Sequence, residues 1–252
     1  MNYFLKFILI ISIVFISACQ NNDEKISIIE ERDLDLQMID AYNEGLNLLD
    51  DNYPLKAAEK FNEAELLYPQ SLWAARSSLM SAYSFYYGSY YVDAIEELNR
   101  FKKIYPNHER IVYAYYLMGM CHYEQIADEK KDLESIIDAQ QNFKYVLENY
   151  PDSDFALDSQ FKLELIQQIL ASKEMYLAKY YIEKEKWIPA INRYKNVLDK
   201  FETTIYVEEA LHRLVEIHYK IGLIDESKKY AALLGYNYQS SKWYKASYSI
   251  FN

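Results

Sequence analysis

Few residues in this 252-residue chain are equipped for covalent or metal chemistry. There are four histidines, His108, His122, His212 and His218, and two cysteines, Cys19 and Cys121. A metal site needs ligands that converge from one helix face or from neighbouring elements. His212 and His218 are six residues apart and Cys121-His122 are adjacent, and neither spacing shares a helix face. The sequence has no His-Glu-x-x-His, no glycine-rich phosphate loop and no nucleophile elbow. Asp and Glu number 38 against 27 Lys and Arg, and on helices these acids read as solvated faces rather than paired catalytic carboxylates. The resulting charge of −11 argues against a nucleic-acid backbone and against adhesion to anionic lipid, both of which need a basic stripe. Its simplest role is solubility. The expectation is therefore no enzyme, no cofactor and no metal.

Cys19 is the residue with a chemistry of its own. It follows Lys6, a ten-residue apolar run from Phe7 to Ile16, and the sequence Ile16-Ser17-Ala18-Cys19. The run is short for a membrane span and reads as a signal segment. The motif resembles the lipobox of bacterial lipoproteins, an aliphatic residue and two small ones before a thiol. The resemblance implies loss of residues 1–18 and acylation of the Cys19 sulfur and new amino terminus. Several acyl chains at about 0.8 kcal/mol per buried methylene give stable anchoring. Gln20, where Asp retains enterobacterial lipoproteins in the inner membrane, favours the outer membrane. Residues 19–33 are polar and charged and read as a lipidated tether. Cys121 is then left without a disulfide partner, and its apolar run from Leu117 marks it as a buried structural thiol.

The elements that must position everything else are helices. The chain is 51% hydrophobic, with 27 Tyr but only five Gly and five Pro. Few breakers and many helix-compatible residues predict an all-α chain. An aromatic residue followed by Pro and a polar cap recurs as Tyr68-Pro69-Gln70-Ser71, Tyr105-Pro106-Asn107-His108 and Tyr150-Pro151-Asp152-Ser153. Weaker copies start at Phe201 and Tyr238, with Glu202 and Gln239 in the proline position. Twelve residues before that position stand Ala57, Ala94, Ala139, Ala190 and Ser227. Four residues after the small ones come Phe61, Leu98, Phe143, Tyr194 and Ala231. A small residue lets two helices approach, the residue at i+4 fills the space between them, and proline ends the second helix.

This pattern is similar to the tetratricopeptide repeat, in about five copies. The markers lie 37, 45, 51 and 37 residues apart, against about 34 for the ideal repeat. The excess in repeat three is assigned to Ile126–Ser135, and that in repeat four to one long helix from about Phe155 to Glu185. In such a solenoid the concave surface is lined by four positions of each first helix. These are Ile39, Tyr42, Leu46 and Leu49; Arg76, Leu79, Tyr83 and Tyr86; and Tyr113, Tyr116, Met120 and Tyr123. Repeats four and five contribute the more polar Ser172, Met175, Lys179, Ile182, Glu209, His212, Glu216 and Tyr219. Tyrosine offers large contact area with a polar tip, which suits extended peptides of varied sequence. Repeats one to three, residues 34–153, are thus expected to carry a substrate groove with Tyr42, Tyr83, Tyr86, Tyr113, Tyr116, Tyr123 and Arg76, the arginine taking a chain-terminal carboxylate. The alternative is that the tyrosines pack between helices.

A lipobox followed by five such repeats resembles the BamD family of outer-membrane β-barrel assembly lipoproteins. The stretches that carry the resemblance are Tyr113–Gly119, Ala178–Tyr181, Trp187–Tyr194, Ala210–Glu216 and Leu234–Tyr238 with Trp243-Tyr244. The chain departs from the family at Glu109, Met118, Glu202 and Gln239, and the last two are expected to soften helix ends. The resemblance implies a non-enzymatic role at the periplasmic face of the outer membrane. Its partners would be the periplasmic domains of the barrel-forming subunit, accessory lipoproteins and unfolded outer-membrane proteins. It also implies that residues 154–252 dock the partner, with Arg193 pairing a partner carboxylate. The alternative for Arg193 is an intrachain glutamate such as Glu185. A pilus-secretin assembly factor or a cell-wall coordination factor is the rival reading of the whole chain.

Overall fold

The computed structural model describes residues 33–126 and 133–251; Cys19, the signal segment and most of the tether lie outside these residues, as does the centre of the repeat-three excess. Eleven helices and no strand occur among the described residues. They are α1 (Leu34–Asp50), α2 (Pro54–Leu67), α3 (Leu72–Tyr87), α4 (Tyr91–Ile104), α5 (Ile111–Glu124) and α6 (Glu134–Asn149). The 30-residue α7 (Asp154–Glu183) follows, then α8 (Trp187–Lys200), α9 (Val207–Lys220), α10 (Ile224–Asn237) and α11 (Lys242–Tyr248). The helices from α1 to α10 pack chiefly on their sequence neighbours, α3 and α7 also touch α5, and α11 folds back onto α9. None of the described helices is long and apolar enough to cross a membrane.

The five-copy pattern coincides with the core. Ala57, Ala94, Ala139, Ala190 and Ser227 are all fully buried, and the residues four places on are buried too. In repeats one and three the large residue lies against a glycine of the preceding helix. A Cβ added to Gly45 would lie 2.9 Å from Phe61 Cε1, and one added to Gly119 would lie 2.8 Å from Phe143 Cε1. Gly45 to Phe61, Ala82 to Leu98, Ala178 to Tyr194 and Val215 to Ala231 keep one separation of 16 residues. Gly119 to Phe143 is 24, so the eight extra residues of repeat three lie between these two positions.

Both kinds of turn repeat as well. At the marker, the N–H three residues on donates to the aromatic carbonyl in all five copies: Ser71 to Tyr68, His108 to Tyr105, Ser153 to Tyr150, Thr204 to Phe201 and Ser241 to Tyr238, at 3.0–3.1 Å. The two copies without proline keep this bond at 3.0 Å, so Glu202 and Gln239 do not soften the helix ends. Within a repeat the first helix ends in a left-handed residue, Asn52, Ser89, Glu185 or Gly222. The next N–H then reaches back five residues, as Tyr53 to Leu48, Tyr90 to Phe85, Lys186 to Tyr181 and Leu223 to His218.

The long helix spans about 45 Å at 1.5 Å per residue. It holds no Gly or Pro to interrupt it and ends at the left-handed Glu185. Its first half packs on α5 and α6 through Ala156, Ser159 and Ile166, and its second half is the first helix of repeat four through Ala171 and Ala178. At the C-terminus, α11 closes the last repeat: Ser247 Oγ meets His212 Nδ1 at 2.8 Å and Tyr244 lies under Gly235.

Candidate functional site

The expected groove residues fall into three situations. Tyr42 is buried; its ring meets Phe61 and Trp73 edge-on, each at 5.2 Å between centroids. Arg76 is exposed and lies over Trp73 and Tyr42, with its guanidinium carbon 5.1 and 5.6 Å from the two ring centres. Such stacking orients the fork without neutralising it. It borders a shallow recess of about 180 Å³ with Trp73, His108, Glu109 and Arg110.

Tyr83 and Tyr86 are half-buried. Tyr83, Leu46, Leu49, Asp50, Met80 and Tyr87 line a cleft of about 440 Å³ between α1 and α3. Tyr86 packs on Tyr83 and Tyr91, and burial, with Glu124 adding to it, pushes its hydroxyl up to about 12. Of the two, Tyr83 faces the cleft, together with Tyr87, and Tyr86 packs against the cores of repeats two and three.

Repeat three is covered. Phe155 of α7 stacks at 5.3 Å on Tyr113 and 5.1 Å on Tyr116, and the Tyr116 hydroxyl donates to Asp158 at 2.6 Å. Burial raises the Tyr113, Tyr116 and Tyr123 hydroxyls above their ordinary range. The Lys162 ammonium sits 4.8 Å from the Tyr123 ring centre. Packing between helices therefore holds for Tyr42, Tyr113 and Tyr116, whereas Tyr83 faces a cleft. Nothing in the repeat pattern signals this cover, because it comes from the extra turns at the start of α7.

In the C-terminal half, Arg193 donates from Nη1 to Glu174 at 3.0 Å, and Asn196 donates to the same carboxylate at 2.9 Å. The intrachain partner is thus Glu174 on α7, not Glu185. The Arg193 side chain keeps 36% of its surface exposed. Glu209 and Glu216 both accept from Arg213, and Glu216 lies 3.5 Å from His212 Nε2. Those contacts, that of His212 first, hold the Glu216 carboxyl at about 2.

One polar cluster escapes the motif reading. Arg100 donates to Glu65 at 2.9 Å and to Glu97 and Ser78, while the Tyr105 hydroxyl donates to Glu65 at 2.8 Å. The carboxylates, Glu65 first, raise the Arg100 guanidinium further, so it remains charged. This cluster ties α2, α3 and α4 together and fixes repeat one against repeat two. No group of three or more His, Cys, Asp or Glu among the described residues could hold a metal ion. Cys121 is fully buried, and burial pushes its thiol up to about 12.

The sequence profile of a family described as outer membrane lipoprotein, YfiO, matches residues 34–234, from the start of α1 into α10. The chain belongs to the YfiO family. Relatives of the same kind are named outer membrane protein assembly factor BamD. That of Rickettsia prowazekii is 37% identical over 221 residues, 88% of each chain. That of Caulobacter vibrioides is 34% identical over 238 residues, covering 94% of this chain and 77% of its own. That of Neisseria gonorrhoeae is 28% identical over 189 residues, covering 71% and 70%. For a YfiO-family chain the tetratricopeptide-like all-α fold and the outer-membrane association agree with the expectation from sequence.

Proposed function

We propose that this chain is a non-enzymatic, lipid-anchored component of the outer-membrane β-barrel assembly machinery, held at the periplasmic face of the outer membrane by acylated Cys19. The observation that carries this reading is a relative named as an assembly factor that is 37% identical over 88% of both chains. Repeats one to three receive unfolded outer-membrane proteins, and repeats four and five dock the periplasmic domains of the barrel-forming subunit beside accessory lipoproteins. The open cleft with Tyr83 and Tyr87 supports the first role, because alternating strands of outer-membrane barrels present aromatic residues to such a surface. The stacked, exposed Arg76 fork supports capture of a chain-terminal carboxylate. Arg193 supports the second role: Glu174 holds one arm of the guanidinium while the exposed edge stays open to a partner carboxylate.

Binding of a labelled C-terminal strand peptide tests the groove. Tyr83→Ala and Arg76→Ala weaken it about tenfold each, whereas Tyr42→Phe, at a buried ring, leaves it unchanged. Equal affinities in folded Tyr83→Ala and Arg76→Ala chains would remove the cleft from the receptor.

A further inference from the structure

A second recess, of about 430 Å³, opens in repeats four and five between α7, α8 and α9. Its volume falls in the range of pockets that enclose a ligand. Met175, Ile182, Tyr194 and Tyr206 supply apolar and aromatic surface. Around them stand Lys179, Glu183, Glu209, Arg213 and Glu216, three carboxylates against two cations.

The single arginine is already engaged. Arg213 donates to Glu216 at 2.8 Å and to Glu209 at 3.1 and 3.3 Å, and stacks on Trp243 at 5.3 Å. It serves as wall rather than as a free anion receptor. Glu216, held at about 2, stays ionised at neutral pH. Glu183 is exposed on the last turn of α7, one turn beyond Lys179. A ligand therefore meets aromatic surface inside and a residual negative charge at the rim, in a chain that carries −11 overall.

We propose that this recess is a peptide-binding site that takes an aromatic side chain between Ile182 and Tyr206 and, two residues on in an extended segment, a basic side chain against Glu183. Residues i and i+2 of an extended chain point to one face about 7 Å apart, so one segment can make both contacts. Tyrosine faces favour the ring of the first and the cation of the second. The lining holds one carboxylate more than it has cations, with Arg213 spent on Glu209 and Glu216, and this selects against an acidic segment. The site stands apart from the Tyr83 cleft and is independent of the assembly role.

The test uses the mature chain and an end-capped, fluorescein-labelled Gly-Ser-Trp-Ser-Arg-Gly peptide, with anisotropy as the readout. Saturable binding is expected, at least roughly tenfold weaker for the peptide with Glu in place of Arg. Ile182→Arg, which fills the recess with a charge, is expected to weaken the basic peptide about tenfold. Ile182 also packs partly on the core, so Glu183→Lys at the exposed rim provides a second variant, expected to weaken binding roughly fivefold or more. Equal affinity for the acidic peptide, unchanged binding in folded Glu183→Lys, or no saturation up to millimolar peptide would each overturn the site.

Discussion

Replacing Gly119 by Ala probes the close helix contact on which the repeat frame rests. The new Cβ would lie 2.8, 2.9 and 3.1 Å from three atoms of the Phe143 ring. Phe143 is fully buried and also touches Tyr116 and Tyr123, so it has little room to retreat. Overpacking of this kind costs about 1–3 kcal/mol. Helix propensity opposes it, because Ala in a helix interior is better than Gly by about 0.8–1.0 kcal/mol. The net expectation is a loss of about 1 kcal/mol, or a melting temperature lower by about 2–4 °C in a chain of this size. Chemical denaturation followed by circular dichroism measures it. In a Phe143→Leu background the same change becomes neutral or stabilising, since the matching positions of repeat two hold Ala82 and Leu98, both fully buried. A double-mutant cycle then returns a coupling of about 1 kcal/mol or more. A stabilising Gly119→Ala in the wild-type background would refute the close contact.

Turn chemistry gives a paired expectation: Gly222 has φ +84° with open space around it, so Gly222→Ala loses about 1 kcal/mol, whereas Glu185→Gly, at φ 55°, gains up to about 1 kcal/mol in a denaturant melt. Burial holds Cys121, Tyr86 and Tyr194 up at about 12 in the folded chain. The unfolded chain releases those protons from about pH 9, so stability falls as pH rises from there towards 12. Ultraviolet titration should show a class of tyrosines that ionises only on unfolding; every tyrosine titrating near the ordinary value of about 10 in folded protein would contradict it. At the acid end, the depressed Glu216 contributes stability above its unfolded value that is lost as pH falls towards 2, so Glu216→Gln should flatten the acid limb of a stability profile. Cys19→Ala should leave a precursor-sized chain that no longer fractionates with outer membrane; unchanged maturation would sink the anchor.

The frame of the fold was legible because it rests on a repeated steric need. Ala57, Ala94, Ala139 and Ala190 mark where helices touch, and their spacing to the aromatic turn is written directly in the chain. The long α7 followed from the same count, since residues beyond the repeat length had to go somewhere without Gly or Pro to break them. The groove was legible only in part. Repeat positions assign Tyr113 and Tyr116 to the concave face, but the Phe155 and Asp158 that cover them come from a neighbouring helix whose approach no local spacing encodes. Arg193 shows the same limit. Its neighbour in the chain, Tyr194, fixes its direction, yet Glu174 stands 19 residues away on α7. The Arg100 cluster draws Glu65 from 35 residues away, and only the stacking of repeats one and two brings them together.

The central claim is that this chain works as an assembly-machinery component. Purification of the lipidated chain from detergent-solubilised envelopes, with its companions identified by mass spectrometry, tests it most directly. The account predicts a stoichiometric barrel-forming outer-membrane protein with periplasmic domains, depleted by Arg193→Glu while the variant keeps its circular dichroism spectrum. Recovery of a pilus secretin or a cell-wall synthesis complex instead, with no such barrel protein, would contradict it.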